Sequence, residues 1–223
     1  MIKLAPEGKP FILGFFGLTI LVVLFAPWGA LLPFALTLFM AYFFRDPERR
    51  IPEGENVLVS PADGKVILIS PTPSIPPLLR GGEGGVSESG EGGFIEVSIF
   101  MSPLDVHVNR APCEGTVEEV VHTSGRFLSA FKHEASLQNE NIAMLLTTRY
   151  GKILIRQVAG FLARRAVCRV KIGDSLQKGE RYGIIKFSSR LDIYLPKEVN
   201  LRVKLGDRVK AGETVIGEMP SGS

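Results

Sequence analysis

Phe94-Ile95-Glu96-Val97-Ser98-Ile99-Phe100 is short, rich in β-branched residues and closed on both sides by residues that interrupt regular structure, which together mark a β-strand. Three other stretches have the same character: Val57-Leu58-Val59, Lys65-Val66-Ile67-Leu68-Ile69 and Lys152-Ile153-Leu154-Ile155. Each is bounded by Gly, Pro, Ser or Asp. Only Ser129 to Ser136 looks locally helical, and no alternation of strands with long helices is present. The expectation is therefore a mainly β domain, a sandwich or a partly closed barrel. Between Ser70 and Gly93 the chain is dominated by Pro, Gly, Ser and Glu. Such a composition buries too little apolar area to offset its ordering entropy, which predicts a flexible surface loop over 70–93.

Ahead of these strands lies a different kind of sequence. From Phe11 to Phe44, 34 residues pass without a charged side chain, which a water-soluble helix does not tolerate on every face. One straight helix of that length would rise about 51 Å, against about 30 Å for the hydrocarbon core of a bilayer. Pro27-Trp28-Gly29 falls in the middle and predicts a break, hence an N-terminal α-helical membrane hairpin over residues 1–44. Each arm has roughly sixteen residues, so a hairpin that crosses twice and one that dips into a single leaflet both stay open. Lys3 and Lys9 precede the apolar run and Arg45, Arg49 and Arg50 follow it, so both ends are expected in the cytoplasm, with residues 45–223 on the cytoplasmic side of the cell membrane. The arginine cluster suits either anionic lipid headgroups or a topology signal alone. A cleaved signal peptide fits poorly, since no small-residue cleavage site follows the run.

The whole chain has 223 residues, a net charge of +3 and 45% hydrophobic residues, with a mean hydropathy of +0.20. These values exclude a disordered chain and match one domain plus a small apolar element. The near-balanced charge gives no indication of nucleic acid as a partner. Cys113 and Cys168 are too few for a disulfide framework and lack the spacing of a zinc site; no metal is expected.

One repeat is visible. Gly173-Asp174-Ser175-Leu176-Gln177-Lys178-Gly179-Glu180 recurs as Gly206-Asp207-Arg208-Val209-Lys210-Ala211-Gly212-Glu213. Both copies resemble the turn of the lipoyl and biotinyl carrier folds, and Ser60-Pro61-Ala62-Asp63-Gly64-Lys65-Val66 resembles the opening strand of such a hammerhead. The carrier lysine at a hairpin tip is absent, so the resemblance implies geometry only.

Histidine is scarce, with His107, His122 and His133, which shortens the list of acid–base groups near neutral pH. His107 lies in the polar turn Met101-Ser102-Pro103-Leu104-Asp105-Val106-His107-Val108-Asn109-Arg110. His122 and His133 have polar neighbours and read as surface residues.

Several motifs occur in a familiar order: Phe43-Phe44-Arg45-Asp46-Pro47-Glu48-Arg49, Ser60 to Val66, the His107 turn, Asn139-Glu140-Asn141, Gln157-Val158-Ala159-Gly160 with Ala163-Arg164-Arg165, and Lys186-Phe187-Ser188-Ser189-Arg190-Leu191-Asp192-Ile193-Tyr194-Leu195-Pro196. In combination they resemble the phosphatidylserine decarboxylases, in their short, pyruvoyl-dependent prokaryotic form. The resemblance implies a proenzyme that cuts itself between Ser188 and Ser189 and converts Ser189 into a covalent pyruvoyl group, leaving chains 1–188 and 189–223. It further implies that phosphatidylserine becomes phosphatidylethanolamine through a Schiff base with the pyruvoyl carbonyl, at a membrane and with a phospholipid as substrate, as part of phospholipid biosynthesis. By the same resemblance His107 donates a proton or orients substrate, and Asp63 serves self-cleavage. Two departures stand out. Ser188 occupies a place where the family has Gly, and serine in strained backbone costs about 1 kcal/mol or more. Arg110 occupies a place where longer members have a second histidine, so the base for self-cleavage is unassigned. Arg110, and with it Arg190, is expected to meet the lipid phosphate or carboxylate. A non-catalytic membrane-tethered lipoyl-like module and a pseudoenzyme disabled by Ser188 remain the alternatives, and a homo-oligomer stays open.

Overall fold

The structure is a computed structural model that describes residues 3–73, 93–125, 139–160, 165–187 and 189–220. The chain divides into two compact units, Met1–Glu48 and Arg49–Ser223.

In the first unit, β1 (Lys3–Leu4) is followed by a short 3-10 turn and helix α1 (Lys9–Phe25). A second 3-10 turn, Pro27–Ala30, leads into α2 (Leu31–Phe43), and β2 (Arg45–Asp46) returns to pair antiparallel with β1. The apolar stretch is thus a helical hairpin whose ends are held together. Pro27 is the reason for the break, because its ring removes a donor and clashes with the preceding turn. Pro6–Phe25 is long and apolar enough to cross a membrane, while Pro27–Phe43 is shorter. The two buried hydroxyls of the helices are satisfied internally, Thr19 on the Phe15 carbonyl and Thr37 on the Pro33 carbonyl, as an apolar surrounding requires. Phe25 and Trp28 at the bend are 82% and 86% exposed.

The second unit is mainly β, as the sequence predicts. Its strands are β3 (Val57–Val59), β4 (Gly64–Thr72), β5 (Phe94–Met101), β6 (Val108–Arg110) and β7 (Gly115–Thr123). Then come β8 (Asn141–Thr148), β9 (Gly151–Ala159), β10 (Ala166–Cys168), β11 (Ser175–Leu176) and β12 (Arg181–Ile185). The last four are β13 (Ser189–Pro196), β14 (Asn200–Leu201), β15 (Arg208–Val209) and β16 (Val215–Glu218). Eight of them form one sheet in the order β11-β7-β8-β9-β13-β5-β4-β15, antiparallel throughout. Two three-stranded sheets, β10-β12-β6 and β14-β16-β3, complete the unit.

The strand β13 lies at the middle of the large sheet, paired along its length with β5 and over six residues with β9. Alternation gives it two contrasting faces. Leu191, Ile193 and Leu195 join Val97, Ile99, Met101, Ile153 and Ile155 in the main core. Arg190, Asp192 and Tyr194 face the other way with Ser98 and Arg156, and these are buried as well. The two copies of the repeat close the sheet from opposite ends: β11 of the first pairs with β7, β15 of the second with β4. Their glycines take positive φ at matching places, Gly173 at 90° and Gly206 at 94°, Gly179 at 77° and Gly212 at 75°, a backbone region that residues with a Cβ enter at a cost.

The first residues of the loop expected over 70–93 belong instead to β4. Ser70, Pro71 and Thr72 pair with Glu96, Ile95 and Phe94. Pro71 is tolerated because β4 has its other neighbour, β15, only at Gly64 and Lys65, so the missing donor falls on an open edge. The remainder of that stretch, and the helix expected at Ser129 to Ser136, lie outside the described residues.

Candidate active site

Ser189 opens β13 and is fully buried between its register partners Met101 on β5 and Ala159 on β9. Its hydroxyl makes no hydrogen bond among the described residues. A buried hydroxyl without a partner carries a desolvation cost of about 1–3 kcal/mol, and such groups gather where chemistry needs them. Two residues upstream, Phe187 has φ of 58° and is the one non-glycine residue with positive φ among those described. A left-handed phenylalanine costs roughly 1–2 kcal/mol, so the backbone leading to Ser189 is strained, on a residue with no glycine freedom. Ser188 itself lies outside the described residues.

His107 reaches the same neighbourhood through backbone pairing. Its carbonyl accepts from the Ile185 N–H at 3.2 Å, four residues ahead of Ser189. The ring is fully buried and held by the turn before it. Asp105 accepts hydrogen bonds from the Ser102 N–H at 2.8 Å and hydroxyl at 2.7 Å, and the Asp105 carbonyl lies 3.0 Å from His107 Nδ1. A carbonyl only accepts, so neutral His107 carries its proton on Nδ1 and its lone pair on Nε2. His122, in contrast, is largely exposed beside Glu140, as its sequence context suggests; His133 lies outside the described residues.

Asp63 sits in the turn before β4. Both carboxylate oxygens accept from Arg49 Nη2, at 3.0 and 2.8 Å, and Oδ1 also accepts the Ala211 N–H at 2.8 Å. Burial nonetheless pushes its pKa above the ordinary 3.8, with nearby Asp105 adding to the rise and Arg49 opposing it. The Arg110 N–H donates to the Pro61 carbonyl at 3.0 Å, which joins the Asp63 turn to the strand that follows His107.

The two arginines expected at an anionic group have other work in this fold. Arg110 is buried and donates to the Gly179 carbonyl at 2.9 Å. Arg190 donates to Asp192 at 2.5 Å, Ser98 at 2.7 Å and Glu96 at 3.2 Å, on the face of the sheet opposite Ser189. Its charge is already matched by two carboxylates, and its side chain points away from the serine that it follows. The cysteines are free, and burial raises the Cys113 thiol to about 12, far from a reactive thiolate. Among the described residues no cluster of His, Cys, Asp and Glu is able to hold a metal ion.

Sequence reasoning missed an amide pair. Gln157 and Asn109 are both buried, with Gln157 Nε2 2.9 Å from Asn109 Oδ1. Gln157 is opposite Leu191 and shares the core face with Ser189. The signal was present: Gln157 is a polar residue in phase with the inward-facing Ile153 and Ile155.

Conversion of Ser189 into a pyruvoyl group fits these residues, since the hydroxyl that would be lost holds up no hydrogen bond among them. Comparison with known sequences points the same way. A profile of the phosphatidylserine decarboxylase family matches residues 36–217. A "phosphatidylserine decarboxylase proenzyme" of Syntrophus aciditrophicus is 46% identical over 96% of each chain. Proteins of the same name from Geotalea uraniireducens and Desulfotalea psychrophila are 45% and 42% identical, over 97% and 98% of this chain and 97% of their own. With a buried serine at the head of a central strand and that degree of likeness along almost its whole length, the chain belongs to the phosphatidylserine decarboxylase family.

Proposed function

We propose that this chain is a proenzyme that cuts itself at Ser189 and then decarboxylates phosphatidylserine to phosphatidylethanolamine. The observation that carries this reading is the buried Ser189 hydroxyl, without a hydrogen-bond partner among the described residues, two residues after the left-handed Phe187. In the first step Ser189 Oγ bonds to the carbonyl carbon of residue 188 while that carbon's bond to the Ser189 nitrogen breaks; the hydroxyl proton passes to the nitrogen. Loss of the Ser189 α-proton then expels the carboxylate of residue 188, and water converts the remaining dehydroalanine to a keto group with release of ammonia. Strain in the turn favours the first step by raising the energy of the intact peptide.

When formed, the pyruvoyl group supplies an electron sink for the pair left behind by carbon dioxide. The chain's own residues supply position and protons. His107, with Nδ1 fixed on the Asp105 carbonyl, presents Nε2 to take or return a proton. Asp63, held by Arg49 and the Ala211 N–H, serves the self-cleavage. Arg110 and Arg190 are assigned to the scaffold rather than to lipid. The two chains, 1–188 and 189–223, remain one catalytic unit. The apolar hairpin, with Phe25 and Trp28 exposed at its bend, lies in the lipid that holds the substrate, and the β unit works on the cytoplasmic face.

The deciding experiment is the intact mass of the purified protein, followed by carbon dioxide release from phosphatidylserine vesicles. The expected result is two chains meeting at Ser188 and Ser189, the smaller without a free amine. An unbroken chain that still turns over phosphatidylserine would refute the mechanism at its first step.

A further inference from the structure

Gln157 has both of its N–H bonds engaged. Nε2 is 2.9 Å from Asn109 Oδ1 and 3.4 Å from the Val167 carbonyl. Since the Val167 carbonyl only accepts, the amide orientation is fixed, with nitrogen on that side and oxygen on the other. Oε1 makes no hydrogen bond among the described residues, although the side chain is 1% exposed. The Ser189 hydroxyl, also without a partner among the described residues, belongs to the neighbouring strand. Ser189 is opposite Ala159, and Gln157 is two residues from Ala159 on the same strand and face. Diagonal neighbours of this kind stand about 7–8 Å apart, within reach of a long side chain. One group is a buried donor and the other a buried acceptor, and each lacks what the other offers.

The surroundings hold the amide in that place. A Cβ at Gly183 would come within 2.8 Å of Gln157 Nε2, so the glycine leaves the room the amide occupies. Asn109 faces Gly183 in the β6–β12 register and sends its Nδ2 to the Met101 sulfur at 3.9 Å; Met101 is Ser189's partner on β5. The amide pair thus ties the strand after His107 to the strands on both sides of Ser189.

We propose that Gln157 is the positioning residue for self-cleavage: a turn of the Ser189 side chain brings its hydroxyl to Oε1 of the amide held by Asn109, and that hydrogen bond aims the oxygen's lone pair toward the preceding carbonyl. Gln157 takes no proton. It selects one rotamer of Ser189 for the step in which the Oγ–C bond forms, the C–N bond breaks and the hydroxyl proton passes to nitrogen. This inference rests on the self-cleavage reading above.

The test uses the full chain and follows its splitting by denaturing electrophoresis, with and without hydroxylamine, which cleaves an ester at Ser189 and leaves a free serine amine on the smaller chain. Wild-type protein splits in both conditions. Gln157→Leu is expected to slow both splits at least tenfold, because the ester itself forms slowly. Gln157→Glu, in its neutral form, keeps a donor for Asn109 and an acceptor for Ser189 and is expected at low pH to recover cleavage to within about threefold of wild type. Its cleavage now falls as pH rises, because the ionised carboxylate loses the donor and sets its lone pairs against the Asn109 and Val167 oxygens, a profile that a merely structural role would not produce. Should Gln157→Leu fail to fold, Gln157→Asn carries the test: it keeps the amide but draws the acceptor back by one methylene, and the same tenfold loss is expected. The inference is overturned by wild-type rates in the Leu or Asn variant, by hydroxylamine splitting Gln157→Leu as fast as wild type, or by Gln157→Glu behaving like Gln157→Leu at low pH. A wild-type chain that stays whole in both conditions overturns the self-cleavage reading, and this inference with it.

Discussion

Ser60-Pro61-Ala62-Asp63-Gly64-Lys65-Val66 and Ala111-Pro112-Cys113-Glu114-Gly115-Thr116-Val117 occupy matching places on the two sides of the large sheet. Each leads into a nine-residue strand, β4 or β7, and each receives one copy of the Gly-Asp repeat. Val66 exchanges backbone bonds with Asp207 and Gly206 at 2.9 Å, and Val117 does so with Asp174 and Gly173 at 2.8 Å. Gly212 donates to Ser60 and Gly179 to Ala111, both at 2.8 Å. Even the crossing contacts match, with the Arg110 N–H on the Pro61 carbonyl at 3.0 Å and the Val59 N–H on the Pro112 carbonyl at 2.9 Å. By this correspondence Asn56 takes the place of His107, and the β8–β9 hairpin at Arg149 and Tyr150 takes the place of the junction at Ser189.

The backbones agree and the side chains do not. Asp63 is buried on a buried arginine, whereas Glu114 is exposed. The second half instead has a cleft edged by Glu55, Cys113, Glu114, Arg149, Tyr150 and Lys178, where Arg149 pairs with Glu55 at 2.8 Å and Lys178 donates to the Gly54 carbonyl at 2.6 Å. The comparison teaches that this scaffold does not dictate chemistry. What separates the halves is which one buries a carboxylate on an arginine and which one enters its central strand through a left-handed phenylalanine instead of a hairpin.

That contrast is open to attack at several points. Ser189→Ala should leave one uncut chain with no decarboxylation, read by mass and by carbon dioxide release, while Tyr150→Ala in the other half should cut within twofold of wild type. Next in size, Gly64→Ala should cost about 3–4 kcal/mol of stability in denaturant melts, since φ is 147° and a Cβ would lie 2.2 Å from the Phe100 carbonyl oxygen. Its counterpart Gly115→Ala, 2.7 Å from the Thr147 carbonyl oxygen and without a positive φ, should cost about half as much.

Asp63→Asn should slow self-cleavage about tenfold and lower the melting temperature at pH 7, because it takes the carboxylate partner from the buried Arg49 guanidinium. Glu114→Gln should change neither. The smallest effect is in pH. The folded chain holds the Asp63 proton to higher pH than the unfolded chain does, so between 3.8 and the raised value the folded state binds more protons, and stability falls as pH rises through that window. Below 3.8 both states are protonated and the effect vanishes. Wild-type melting should therefore decline with pH relative to Asp63→Asn; parallel curves would remove burial as the distinguishing feature of that half.

Much of this arrangement is legible in the chain. Val57 to Val59, Lys65 to Ile69, Phe94 to Phe100 and Lys152 to Ile155 all fall inside strands, because local composition and flanking breakers suffice to place them. The Gly173 and Gly206 turns are legible for a similar reason: positive φ demands glycine at fixed spacing. The second hammerhead opening was missed, although Pro112, Gly115 and Val117 repeat Pro61, Gly64 and Val66 at a constant offset. Strand phase was not read at the Ser189–Arg190 step either, where β13 points the two residues to opposite faces. Pairings such as Ser189 with Met101 join residues far apart in sequence, and no local pattern announces them.

The position of β13 has one more consequence. A break just before Ser189 would free the end of a strand that is laddered on both sides and buried at all eight of its residues, so the smaller fragment becomes the keystone of an arch built from the larger one. Unfolding such a two-piece molecule separates the pieces, and reassembly must then open the middle of a sheet between two different chains. Such a break would therefore trade a reversible, single-chain folding reaction for a kinetically guarded one: the product would endure as long as it is never taken apart.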